Sequence, residues 1–144
     1  MMIKNTTITK GFIAAGFMNA SVLIFSRFFT NKTINEYDPS AMSNFGLIMI
    51  FIWGLAYTSV AKKYCEVKWL IGVFALEKLI YGCIWVHWLL NNTISEVYEK
   101  DIMAAIFYAM YGVNDWIFFI FFLVVFFQLL KSKNNEYRRA AKNP

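Results

Sequence analysis

Four long apolar runs divide the chain, and polar residues interrupt each of them differently. Residues 11–29 are broken only by Arg27 near the end, and residues 39–61 carry no charge. Residues 69–90 are interrupted by Glu77, Lys78 and His87, while residues 102–130 hold one charge, Asp115. A bilayer-crossing helix needs about 20 mostly apolar residues, so each run predicts a transmembrane helix. Membrane β-strands would alternate in polarity over about ten residues, and none of these runs does. A helix also satisfies its own backbone groups in hydrocarbon. The links at 30–38, 62–68 and 91–101 are short, which favours antiparallel neighbours. The prediction is an all-α, integral membrane four-helix up-down bundle forming a single domain over residues 1–144. Asp38-Pro39 reads as an N-cap followed by a first-turn proline at the start of the second helix. The fourth run exceeds what a ~30 Å core requires, so it is expected to tilt or to begin in the interface.

Composition agrees with this reading and narrows it. Apolar residues make up 59% of the 144 positions, aromatics 19% and charged residues only 16%. A soluble domain carries about 25% charge, and a chain this short cannot hide the apolar excess in one core. Two prolines and seven glycines exclude a low-complexity chain. The first run is longer than a signal-peptide core, and Met18-Asn19-Ala20 is a poor cleavage site, so the segment is expected to be retained.

The net charge of +5 is distributed by side. Lys4, Lys10, Lys62, Lys63, Lys68, Lys131, Lys133, Arg138, Arg139 and Lys142 fall on one side, against Arg27, Lys32 and Lys100 on the other. The positive-inside rule then places both termini in the cytoplasm, in a multi-pass protein of the cytoplasmic (inner) membrane. Such basic tails meet anionic lipid. A nucleic-acid partner would need a basic face with stacking aromatics, and here the aromatics lie in the spans. The lipid bilayer is the expected partner, and nucleic acid is not.

Ionisable groups inside spans are costly, about 2.5–3.5 kcal/mol each at a helix centre on insertion scales, and they are therefore informative. Asn19, Glu77, Lys78 and Asp115 fall near mid-bilayer, with Arg27, Asn44, His87, Tyr108 and Tyr111 nearer the outer face. Tyr108, Tyr111 and Asp115 share one face of the fourth helix, and Gly112 beside them leaves room for a neighbour or a ligand. Adjacent residues on a helix diverge by about 100°, so Lys78 is expected to pair with Asp115 while Glu77 turns to Asn19 or stays available. Polarity fades toward the cytoplasm, where Phe74 and Leu70 are expected to close the space. The pattern predicts a pocket open to the outer face that binds a small or lipidic ligand or responds to protons. Glu77 and Asp115 would form its floor, with Arg27, His87 and Tyr111 at the mouth and Asn44 nearby.

Bland accounts compete residue by residue. The Lys78–Asp115 pair could serve only helix register, Arg27 and His87 could snorkel to water, and Asn44 could be a satisfied amide. Trp69, Trp85 and Trp88 fit an interfacial aromatic belt. The phenylalanine-rich stretch 117–127 fits packing or lipid contact. Cys83 reads as a small buried hydrophobe, and it lies roughly 20–27 Å from Cys65, too far for a disulfide. One histidine argues against a single-chain zinc or bis-histidine haem site, so no metal or cofactor is expected. The N-x-S/T triplets at Asn5, Asn31 and Asn91 matter only in a secretory-pathway protein.

Two other function classes stay open. An accessory or assembly subunit would use the cluster only as a brace, pairing with a second copy or another membrane protein through Gly11/Ala15 or Gly16/Ala20. A membrane enzyme could use Glu77, His87 or Asp115 as acid or base, but no nucleophile accompanies them. The span layout, with Ser43-Asn44-Phe45-Gly46, Phe74-Ala75-Leu76-Glu77-Lys78 and Tyr111-Gly112-Val113-Asn114-Asp115, resembles small bacterial four-helix membrane proteins of the DoxX-like type. The resemblance lies in the number, length and orientation of the spans. It implies a bacterial inner-membrane protein associated with redox or envelope processes, and it carries no catalytic role to any residue.

Overall fold

The computed structural model describes residues 4–140, with side chains through 132. Of the basic carboxyl tail, Lys142 lies outside the described residues, and Lys133, Arg138 and Arg139 outside the described side chains. The chain is all-helical: α1 (Asn5–Ala20), α2 (Val22–Phe25), α3 (Lys32–Tyr37), α4 (Asn44–Val60), α5 (Lys68–Asn91), α6 (Ile94–Lys100) and α7 (Ile102–Ala140), with a 3-10 turn at Tyr64–Glu66. Among the described residues three stretches are long and apolar enough to cross a membrane: Asn5–Phe25, Lys68–Asn91 and Ile102–Ser132. The 17 residues of α4 carry no charge but make a shorter helix, about 26 Å at the helical rise.

Along the long helices the outward face is largely apolar, and three charged side chains lie inside. Phe17, Phe45, Leu55, Trp69, Leu76, Ile80, Ile117 and Phe127 are all more than half or about half exposed, whereas Glu77, Lys78 and Asp115 are buried. In water this would be an inverted protein. In hydrocarbon it is the stable arrangement, because polar side chains need protein partners and apolar ones need no shelter.

Two apolar layers hold the helices together. At the end carrying α3 and α6, Ile34, Met42, Leu47, Val97 and Ala104 surround Trp88 and Tyr108, whose rings stack 4.1 Å apart. At the opposite end Ile8, Phe12, Tyr57, Tyr64, Phe74, Phe122 and Val125 form the second layer. Within it α1 meets α4 at its small residues. A Cβ on Gly54 would lie 2.8 Å from Asn19 Cβ and 2.9 Å from the Gly16 carbonyl oxygen, and a side chain on Gly16 would collide with Thr58. Gly11 packs on the Phe121 ring in the same way. The small-residue spacing expected to serve a second chain is therefore used inside this one.

Helix boundaries depart from the sequence expectation: α1 begins at Asn5, α7 runs to Ala140, the links 30–38 and 91–101 hold the short helices α3 and α6, and the first two runs are interrupted. The first run does not continue to residue 29. It breaks at Ser21, whose hydroxyl donates to the Met18 carbonyl at 2.5 Å, and it ends at Phe25. Arg27, Phe28 and Phe29 then adopt left-handed backbone, with φ of 49°, 54° and 69°, a conformation costing about 1–2 kcal/mol per residue. Ser26 holds that turn: its hydroxyl accepts from Phe29 N–H, and its carbonyl from Thr30 and Asn31 N–H. In the second run, Asp38-Pro39 does not start the helix. The Asp38 carboxylate accepts from Ala41 N–H and the Ser40 hydroxyl, making a separate turn. Ser43 is extended (ψ 163°) and caps α4 by accepting from Gly46 N–H.

Candidate functional site

Between the two apolar layers lies a polar layer to which all four of the longest helices contribute. On α5, Lys78 is 2% exposed. Its Nζ donates to Asp115 Oδ1 of α7 at 2.6 Å and to Asn19 Oδ1 of α1 at 2.9 Å. Asn19 Nδ2 in turn donates to the Ile50 carbonyl of α4 at 2.9 Å. A continuous line of hydrogen bonds thus runs from α4 through α1 and α5 to α7. The close Gly16–Gly54 approach brings Asn19 within reach of α4.

Glu77 points the other way, as the 100° step between neighbours requires. Its Oε2 accepts a short hydrogen bond from the Tyr57 hydroxyl of α4 and lies 3.9 Å from Lys78 Nζ. The expected Glu77–Asn19 contact does not form, because Lys78 takes the amide oxygen. Sequence reasoning does not single out Tyr57. A signal was there: Leu47, Ile50, Gly54 and Tyr57 recur at three and four residues, and all are buried on one stripe of α4.

A cavity of about 30 Å3 adjoins this layer, lined by Asn19, Glu77, Lys78, Tyr111 and Asp115 among others. That volume holds one or two waters. Its remaining wall is Met18, Ser21, Val22 and Phe25 on one side and Phe107, Met110 and Asn114 on another, with Ile50 and Tyr81. It therefore lies where α1–α2 and α7 meet α4 and α5. Two buried side-chain atoms lack a hydrogen-bond partner among the described residues, Glu77 Oε1 and Tyr111 Oη. Both belong to residues lining this cavity.

Of the six residues singled out as a pocket, the structure brings three together: Glu77, Asp115 and Tyr111. The other three lie elsewhere. Arg27 is half exposed and bridges to Asp101 at 2.7 Å, where the left-handed turn has carried it off the helix. Asp101 caps α7 by accepting from Ala104 N–H at 2.8 Å, and it also accepts from Asn31 Nδ2. Burial alone would raise the Asp101 pKa. The Ala104 N–H, the Asn31 amide and Arg27 together outweigh that and hold it below its ordinary value. Asn44 is exposed at the first turn of α4. His87 is exposed on α5 beside a separate depression lined by Tyr37, Asp38, Cys83 and Asn91.

The end expected to be the pocket mouth is filled. Trp88 is 4% exposed and donates to the Tyr37 carbonyl at 3.0 Å. Trp85 donates to the Tyr108 carbonyl at 2.7 Å and packs against Gly112, so these two are core residues and only Trp69 fits a belt. Gly112 makes its room for that ring. Phe74 is buried beneath the polar layer, whereas Leu70 faces outward. Cys83 is exposed and not buried, as is Cys65. Among the described residues no group of three His, Cys, Asp or Glu side chains is placed to hold a metal ion.

Comparison with known proteins returns no match, whether to family models, to curated proteins or to solved structures.

Proposed function

We propose that the chain is a four-span up-down protein of the bacterial inner membrane with both termini cytoplasmic, and that its Glu77 layer is a proton-responsive binding site inside the bilayer. The observation that carries this reading is the pair of unpartnered buried atoms at one cavity. A buried polar atom left without a partner costs about 1–3 kcal/mol, and native interiors hold few of them. Glu77 Oε1 can accept and Tyr111 Oη can donate, so a water, a hydroxyl or a proton exchanged at the carboxylate answers both. Charge count points the same way: two carboxylates, Glu77 and Asp115, face one ammonium, Lys78. The titratable groups bearing on Glu77 are Tyr57 of α4, Lys78 and Tyr81 of α5, and Asp115 and Tyr111 of α7; Asn19 of α1 is neutral.

The bonding line from Ile50 through Asn19 and Lys78 to Asp115 favours a second reading, an accessory subunit in which the layer is a brace. The two are separated by infrared difference spectra of the protein in liposomes between pH 5 and pH 8. Under the proton-responsive reading, wild type shows a carboxylic-acid C=O band that Glu77→Gln lacks, and Tyr111→Phe shifts that band. Identical spectra and identical pH dependence of stability in wild type and Glu77→Gln overturn it and leave the brace.

A further inference from the structure

Glu77 also borders a second opening, which shares Glu77 and Tyr81 with the small cavity. Between α4 and α5 a groove of about 260 Å3 is walled by Trp53, Val73, Leu76, Ile80 and Tyr81, with Glu77 at its inner edge. Val73, Leu76 and Ile80 are among the exposed apolar residues, so the groove opens onto the surface that hydrocarbon covers. Apart from Glu77 and the Tyr81 hydroxyl, its wall is aliphatic or aromatic.

We propose that this groove binds an amphiphilic ammonium, its alkyl chain lying along the α4–α5 seam and its N–H head meeting the Glu77 carboxylate that borders the groove. The inference rests on Glu77 being a binding group. Three features select this chemistry. First, the route: a ligand reaching the groove comes from within the bilayer, so it must be lipid-soluble along most of its length. Second, the head: Glu77 Oε2 is occupied by Tyr57 and lies near Lys78, while Oε1 has no partner. Only a hydrogen-bond donor completes it. The layer holds two carboxylates against one ammonium, so a cationic donor also balances its charge, an alcohol leaves the excess, and a carboxylate adds to it. Third, the walls: the volume falls just under the roughly 300–1,000 Å3 of drug-sized sites, which suits one chain with a compact head. The Trp53 indole also offers a π face to a passing cation. The small cavity beside Glu77 is too small for such a molecule and suits water or a proton. Proton and ammonium then compete for one carboxylate, and binding weakens on acidification.

The test uses the full chain in phosphatidylcholine nanodiscs with 11-bromoundecylammonium, whose bromine quenches tryptophan fluorescence. The expected result is a saturable quench that disappears in Trp53→Phe. 11-Bromoundecanol and 11-bromoundecanoate should give only the linear quench of lipid partitioning. Removing a charge-assisted hydrogen bond should weaken apparent affinity about ten- to a hundredfold in Glu77→Gln. Leu76→Phe/Ile80→Phe fills the groove from its lipid face without touching the carboxylate. It should abolish the saturable quench while keeping the Glu77 infrared band, and it carries the test if Glu77→Gln does not fold. Equal quenching by ammonium and alcohol, or saturable binding that survives the double phenylalanine variant, overturns the proposal. A Glu77 infrared band without ammonium binding refutes the groove alone, and absence of both refutes the site reading as well.

Discussion

Replacing Lys78 with methionine keeps the apolar stem and removes only the ammonium, which isolates the electrostatic role of the buried layer. Lys78 is 2% exposed, with Asp115 at 2.6 Å, Asn19 at 2.9 Å and Glu77 at 3.9 Å from its Nζ. Its loss strands the Asp115 carboxylate and leaves the Asn19 carbonyl without its donor. Removing one partner of a buried pair costs roughly 3–5 kcal/mol, so Lys78→Met should lose about 4 kcal/mol. Removing both partners strands no carboxylate at position 115, although Asn19 Oδ1 still lacks its donor, and apolar replacement of a buried pair is often neutral or better. Lys78→Met/Asp115→Met should therefore be more stable than Lys78→Met by about 2–3 kcal/mol. The single variant also carries a pH signature. Protonation neutralises its stranded carboxylates, so its deficit against wild type narrows as pH falls. Reversible unfolding in mixed micelles of rising dodecyl sulfate fraction, followed by circular dichroism, measures each difference. The reasoning is refuted if Lys78→Met unfolds within about 0.5 kcal/mol of wild type, or if Asp115→Met adds a further loss on top of it.

Other expectations follow from particular contacts. Gly54→Ala places a Cβ 2.8 Å from Asn19 and 2.9 Å from the Gly16 backbone, so an overpacking cost of about 1–3 kcal/mol should exceed alanine's better helix propensity. The same unfolding assay checks the sign. Asp101→Ala removes the α7 cap and the partner of Arg27 and Asn31, for about 1–2 kcal/mol. Because the Asp101 pKa is lowered in the folded chain, its contribution is fully present above the ordinary carboxylate value near 4 and is lost as pH falls through the lowered one. Asp101→Ala should lack that acid-side loss in a stability–pH profile. Cys65 is exposed within the basic 62–68 link, so a membrane-impermeant maleimide should label it only after cells are permeabilised. Labelling of intact cells would reverse the orientation.

The polar layer was legible because its signal does not depend on partners. Glu77, Lys78 and Asp115 stand out from desolvation cost alone, which depends on residue type and depth in an apolar run. The periodicity that set Glu77 and Lys78 on diverging faces is likewise a local property of the helix. The left-handed turn at Arg27–Phe29 was not legible, since nothing in those three side chains favours it. The Ser26 hydroxyl and the Asp101 clasp, 70 residues from Asn31 in sequence, hold it in place. Arg27 was placed at a pocket mouth because its helix was read as continuing. His87 and Asn44 were misplaced for another reason: polarity and depth do not say which side of a helix meets its neighbours.

By itself the sequence determined the apolar, all-helical character of this protein and the three charges its long helices take inward, because hydration cost and helical period are written residue by residue. Tertiary structure decided the partners. Asn19 went to Lys78, Tyr57 to Glu77, and Glu77 Oε1 to none. A step of one residue turns a side chain by about 100°, so each pairing depends on how far helices slide and rotate before they lock. That was fixed by Gly16 against Gly54 and by Trp85 against Gly112.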